Sequence, residues 1–286
     1  MEQRLIQGSP EWLEMRRGKI GASDAPIIMG DSPWKTTYQL WEEKLGLREP
    51  QQTNAAMQRG NELEPIALKA YNDCTGHCAS PQVVFHPDYT YMMASLDGLS
   101  LDGSIAVEIK CPGQKDHDTA SMGKVPEKYY PQLQHQLATI GHDMIHYFSY
   151  RNGEYYLIEV PRNDPYIKDL YAQEAIFWQH LQDFDPPRLC DRDFKHKDDE
   201  QWAAQAAKWS EVNAELQEVK ANEKKLRDSL IRLSENRNCF GAGVKLQKIL
   251  RRGNVDYSAI EELKGVDLDA YRKPVIESWR IYNGIS

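Results

Sequence analysis

Cysteine is scarce: five residues, an odd number, spread over a chain of 286. That is no disulfide framework, and a reducing cytoplasm is the expected compartment. Long apolar runs are missing too. Nothing approaches the roughly 18–20 residues a membrane helix needs, so no membrane partner is expected. The opening MEQRLIQGSPEW has no hydrophobic core region, so no secretory leader is read. Basic charge is in deficit: 35 Lys and Arg against 43 Asp and Glu give a net charge of −8. A basic coat over the whole chain is excluded, but a locally basic groove is not.

The length allows one large domain, or one domain with an appendage. The charge favours the second. Residues 1–190 hold 17 basic and 26 acidic residues, whereas 201–252 hold 11 and 6. Between them lies DFDPPRLCDRDFKHKDDE, with paired prolines and dense charge. Two domains are expected, 1–190 and 195–286.

In the first, SPEWLEMRRG predicts a helix with Ser9 as cap and Pro10 in first position. Ser23-Asp24 is placed to cap APIIMG, and TTYQLWEEKLG predicts another short helix. Residues 55–75 predict a longer helix, with Pro65 in a first turn or at a kink. Strands are expected at PQVVFHP, YTYMMAS, LDGLSLDG and SIAVEIKCP, with turns at Asp97-Gly98 and Asp102-Gly103. KVPEKYYPQLQHQLATIG predicts a helix. HYFSYR and EYYLIEV predict a hairpin turning at Asn152-Gly153, and 163–184 a helix. In the second domain, Trp209, Val212, Leu216, Val219, Leu226, Leu230 and Leu233 follow heptad spacing, interrupted at Glu223. A helical arm or oligomer contact is expected there. VKLQKIL, DYSAIEEL and SWRIY would add a small α/β appendage.

SLDGLSLDGSIAVEIKCP carries the chemistry. Glu108 and Lys110 are two apart on a strand, so they share a face, while Ile109 points into the core and leaves its carbonyl at a strand edge. The apolar run Ile105, Ala106, Val107, Ile109 predicts a strand buried on both sides. A Glu and a Lys there cost several kcal/mol, on the order of 3–5, unless paired or metal-bound. Asp97 and Glu108 converging from neighbouring strands make a hard oxygen site suited to Mg²⁺ or Mn²⁺. An ammonium beside them suits phosphodiester hydrolysis. The bland alternative is a charged surface hairpin.

The motif resembles that of the PD-(D/E)xK nuclease superfamily, and within it the phage lambda exonuclease group, or viral-type recombination nucleases. Four blocks match in order: EMRRGKIGASD, RGNELEP, SLDGL with VEIKCP, and YYPQLQHQL. Leu96 stands where the superfamily has proline. The resemblance spans about residues 9–185 and implies an α/β restriction-endonuclease-like core, a central mixed sheet flanked by helices. It implies that Asp97, Glu108, the Ile109 carbonyl and Glu64 hold Mg²⁺, with Mn²⁺ able to substitute. Glu62 is a second choice for Glu64. Lys110 would act on the attacking water, and Gln132, with Tyr130 nearby, would hold water or phosphate. Arg16 and Ser23 would receive a 5′-phosphate. A guanidinium fork suits that role, as does a serine at a helix start. The implied activity is 5′-to-3′ digestion of linear duplex DNA, leaving a 3′ single strand for an annealing protein in phage-type recombination. The implied assembly is a ring-shaped homotrimer.

An endonuclease with the same core and a non-catalytic DNA-binding scaffold remain the rival readings. Cys74, His77 and Cys78 lie close, but no second pair completes a zinc site. The tail also lacks the cysteine cluster of an iron–sulfur nuclease.

Overall fold

A computed structural model describes residues 10–49, 54–251, 253, 260–263 and 266. The chain divides into two compact units, Met1–Lys195 and His196–Ser286.

The first unit is built on a mixed sheet. Its strands are β1 (Ile20–Gly21), β2 (Ser80–Phe85), β3 (Met92–Leu99), β4 (Ala106–Lys110), β5 (Met144–Arg151) and β6 (Glu154–Pro161). The order is β1-β3-β4-β5-β6, with β2 also paired to β3. β1 with β3 and β4 with β5 are parallel; β2–β3, β3–β4 and β5–β6 are antiparallel. β4 is therefore an interior strand and is buried from Ala106 to Ile109, as its unbroken apolar run requires.

Helices cover both faces. They are α1 (Pro10–Arg17), α2 (Ala25–Ile28), α3 (Thr37–Lys44), α4 (Ala55–Thr75), α5 (Gln114–Ser121), α6 (Tyr130–Ile140) and α7 (Asp164–Gln182). Period-two alternation sorts the strand residues between them. Val107, Ile109 and Phe148 pack with Ala67 and Tyr71 of α4. Ala106, Ile145 and Tyr147 pack with Leu133 and Leu137 of α6 and Ile167 of α7. Leu133 and Leu137 are fully buried, each stabilising by about 1.5–3 kcal/mol. α6 carries Pro131 in its first turn and ends at Gly141, whose φ of 72° a side chain rarely adopts. Asn152 and Gly153, both at positive φ, turn the β5–β6 hairpin as expected.

Several expectations are corrected. Asp97-Gly98 is not a turn; it lies inside β3. Gly98 is needed for close approach, because a Cβ there would sit 2.8 Å from Val107 Cγ1 and 2.9 Å from Ala79 Cβ. The turn belongs to Asp102-Gly103, where Asp102 accepts from Ser100 and Ser104 and Gly103 has a φ of 71°. Of the two places expected for Pro65, the first turn is ruled out: it sits in the interior of α4. α5 was not expected, and α6 begins only at Tyr130. Ser23 is no helix cap: it sits within a 3-10 turn, Ala22–Asp24, that runs into α2. Ser9 lies outside the described residues.

The second unit contains α8 (Glu200–Leu233) and the hairpin β7 (Cys239–Gly241) with β8 (Val244–Leu246). Asp199 caps α8 by accepting from the Trp202 amide. No residue of α8 is buried. Of DYSAIEEL, Glu261–Leu263 forms a 3-10 turn, and SWRIY lies outside the described residues.

Candidate active site

The pairing of β3 and β4 ends early. Gly98 faces Val107 and Leu99 faces Ala106, and no further partners are made. Where the next rung would form, Asp97 Oδ2 accepts from the Ile109 amide at 2.7 Å. A strand residue sends its N–H and C=O to the same side, so the Ile109 carbonyl also faces this opening. Ile109 is not on an edge strand; the carbonyl is exposed to the site by the splitting of two interior strands. Asp97 is 8% exposed and Glu108 1%.

Glu108 is held on all sides. Lys110 Nζ and Gln132 Nε2 donate to its Oε1, and Gln136 Nε2 donates to its Oε2. Gln132 and Gln136 are four apart on α6 and so share the face turned to the sheet. Burial, and then the charge of Glu108, push the Asp97 carboxyl well above the usual range. Burial followed by Glu108 also raises Glu64. On Lys110 burial acts downward, but the charges of Glu108 and Asp97 outweigh it and hold the ammonium above the ordinary lysine range. Two carboxylates this deep in the protein oppose each other's ionisation, and the Lys110 ammonium offsets part of that charge.

A cavity of about 200 Å³ joins the predicted residues. Arg16, Ser23, Glu64, Asp97, Glu108, Ile109, Lys110 and Gln132 all line it, together with Trp12. Arg16 donates to Ser23 Oγ and stands 5.0 Å over the Trp12 ring. Behind it, the Lys44 ammonium lies 2.6 Å from Asp24 and donates to the carbonyls of Arg16 and Lys19. That pins the loop between α1 and the 3-10 turn. Glu62 is exposed and accepts from Gln58, away from the cavity. A larger hollow of about 460 Å³ at the other end of α6 holds His86, Arg162 and Tyr171 but only one carboxylate, Asp88. The paired acids Asp97 and Glu108 line the smaller one.

Tyr130 is the exception. One helical step turns it away, so that its hydroxyl accepts from Asn163 at 3.0 Å and its ring meets Tyr166 edge-on. Tyr129 is the tyrosine at the site, with Lys110 5.4 Å from its ring centre. Gln136, absent from the sequence expectation, was findable from its four-residue spacing from Gln132.

The residues fit a small hard cation in part by side chain and in part by backbone. Among the described residues no three His, Cys, Asp or Glu side chains converge closely enough to hold an ion directly. The groups that could hold one are the two carboxylates and the Ile109 carbonyl, with Glu64 lining the same cavity. Cys74 and Cys78 are exposed, and all five cysteines are free.

A mixed sheet flanked by helices is the fold that this chain shares with solved alkaline exonucleases. The structure of the alkaline exonuclease LHK-Exo from Laribacter hongkongensis is similar: 29% identity, TM-score 0.54, covering 70% of this chain and all of that one. LHK-Exo in complex with dAMP is similar as well, at 29% identity and a TM-score of 0.53, over 62% of this chain and 94% of that one. Residues 11–143 match the family model of the YqaJ-like viral recombinase domain. The uncharacterised protein YqaJ of Bacillus subtilis strain 168 is 30% identical over 174 residues, 59% of this chain. The chain spans about half the length of that curated relative, 54%. Among the described residues no helix is long and apolar enough to cross a membrane.

Proposed function

We propose that this protein is a Mg²⁺-dependent exonuclease that digests linear double-stranded DNA from the 5′ end. The observation that carries the reading is Glu108, buried beside Asp97 and tied by Lys110 at the point where β3 and β4 part. The likeness to an alkaline exonuclease, seen also with dAMP, supports it, since a nucleoside monophosphate is what an exonuclease releases.

Asp97, Glu108 and the Ile109 carbonyl would hold Mg²⁺ or Mn²⁺, with Glu64 acting across water. The bound ion would polarise the scissile phosphate and offset charge on the leaving oxygen. Lys110, which donates to Glu108, would donate hydrogen bonds that orient the attacking water and the phosphate, and the proton that water loses would pass through solvent. Gln132 keeps Glu108 in place from the pocket side. Arg16 and Ser23 receive the terminal 5′-phosphate, and Lys44 with Asp24 keeps Arg16 in position. The 3′ strand left behind would be passed to a single-strand annealing protein, in phage or prophage recombination within the bacterial cytoplasm. Residues 1–190 form the nuclease domain and 195–286 the arm. A homotrimeric ring would retain the DNA.

Digestion of duplex DNA labelled at either end, with Mg²⁺ and a 5′-phosphate, tests this. Early release of 5′ label with closed circles left intact is expected. Cut circles would make the protein an endonuclease, early 3′ release would reverse the polarity, and no degradation at any salt concentration would leave a scaffold.

A further inference from the structure

Trp34 is an exposed aromatic that the mechanism above leaves unused. It is 58% exposed, so it forgoes much of the burial that makes an indole useful in packing. Yet the loop that carries it, between α2 and α3, is pinned on both sides. The amides of Asp31 and Ser32 donate to the Pro26 carbonyl at 2.8 and 2.9 Å. Ser32 Oγ accepts from the Trp34 and Lys35 amides, both at 3.3 Å. From the end of the first unit, Arg192 donates to the Ser32 carbonyl at 2.9 Å, and Asp193 accepts from Thr36 Oγ1. Ser32 and Thr36 are themselves buried. A wide ring is thus held out to solvent on a backbone fixed before and after it. Such pre-organisation lowers the cost of ordering a contact.

The ring also has a defined place relative to the paired acids. Lys128 stands 4.9 Å from the centre of the Trp34 ring and 5.2 Å from that of Tyr129, and Lys110 stands 5.4 Å from the same Tyr129 ring. Lys128 is in turn tied to Asp116 at 2.6 Å. A continuous run of cations and rings therefore leads from Trp34 to the ammonium beside Glu108. At about 3.4 Å per nucleotide along a strand, that run covers a few nucleotides. Aromatic rings beside cations are what single strands bind, the rings taking bases and the cations the backbone. Every base has a face to stack, so such a contact suits digestion of any sequence. We propose that Trp34, backed by Lys128, stacks on a base of the substrate strand a few nucleotides from the scissile bond and so holds that strand in the site. This inference rests on the nuclease reading proposed above.

The test is a cycle between protein and substrate. Full-length wild type, Trp34→Ala and Trp34→Phe digest 5′-phosphorylated linear duplexes with Mg²⁺ at limiting DNA. One duplex is intact; in the others each of the first several nucleotides of the digested strand is replaced in turn by an abasic residue. Circular dichroism checks the folds, and Trp34→Leu serves if the alanine variant does not fold. On intact DNA, Trp34→Ala is expected to lower kcat/KM about 5–100-fold, the range that loss of one stacked base gives. Trp34→Phe keeps a ring and is expected to lose less. At one position the abasic residue should slow the wild type by a similar factor and slow Trp34→Ala hardly at all, because the contact is already gone. Equal loss by the variant on the intact and on every abasic duplex would make Trp34 a structural or assembly residue and overturn the proposal. An alanine variant as active as wild type overturns it too. A wild type that leaves intact linear DNA undegraded overturns the nuclease reading and this inference with it, and is recognised before any variant is measured.

Discussion

Asp97 shows how far a single residue can depart from what stability alone would select. It is buried, lies beside a second buried acid, and takes a strand amide that a neighbouring strand would otherwise take. Its carboxyl is pushed up by burial and by Glu108, so without a cation the ionised pair opposes folding. Asp97→Asn keeps an acceptor for the Ile109 amide and removes the like charge. It is expected to melt higher than wild type in chelator and to cleave no DNA. Mg²⁺ should raise the melting temperature of the wild type, by about 2.7 kcal/mol of stability at 100 times its Kd, and leave the variant unmoved. Equal Mg²⁺ stabilisation of both proteins would remove Asp97 from the site.

At the scale of elements, α6 must be held to the sheet for its two glutamines to meet Glu108. A fully buried pair does this. His135 Nδ1 lies 2.6 Å from Glu174 Oε1 on α7, and its Nε2 lies 2.9 Å from the Met93 carbonyl on β3. Burial pushes the imidazole down, but the charge and hydrogen bond of Glu174 outweigh it and hold the ring above the ordinary histidine range. A raised folded-state pKa stabilises fully below the unfolded value, about 6.5. The contribution is lost as pH rises through the folded-state pKa. Urea melts across pH 5–9, a range of about four units around that value, should therefore show stability falling at the upper end. His135→Gln should flatten that fall and cost about 3–5 kcal/mol at low pH, as a buried acid loses its partner. A variant with the wild-type pH slope would assign the slope to other groups.

For the whole molecule, the open question is what covers α8. Val212, Leu216, Val219, Leu226, Leu230 and Leu233 run along it at heptad spacing, and all are exposed. An exposed apolar stripe of that length suits the oligomer contact expected of this arm. Glu223 occupies one seam position and pairs with Arg227 one turn on. Replacing Leu216 and Val219 together by Glu should remove about 1.5–3 kcal/mol of burial at each position. The sedimenting mass is expected to drop while the melting of the first unit stays unchanged. Undiminished mass would place the assembly contact elsewhere.

The sequence by itself determined the strand carrying Glu108 and Lys110, the Asn152-Gly153 hairpin and the long helix α8. Each of these is written locally, in period-two or heptad spacing or in turn chemistry. Arg16, Ser23, Glu64 and Gln132 were located by ordered motif blocks, since no local physics brings them together. Tertiary structure alone decided that Asp97-Gly98 belongs inside a strand, because Val107 and Ala79 leave no room for a Cβ beside them. It decided that β3 and β4 part beside Ile109, and that Tyr129 and not Tyr130 faces Lys110. Those outcomes depend on which element packs against which, and the spacing of residues along one chain does not encode it.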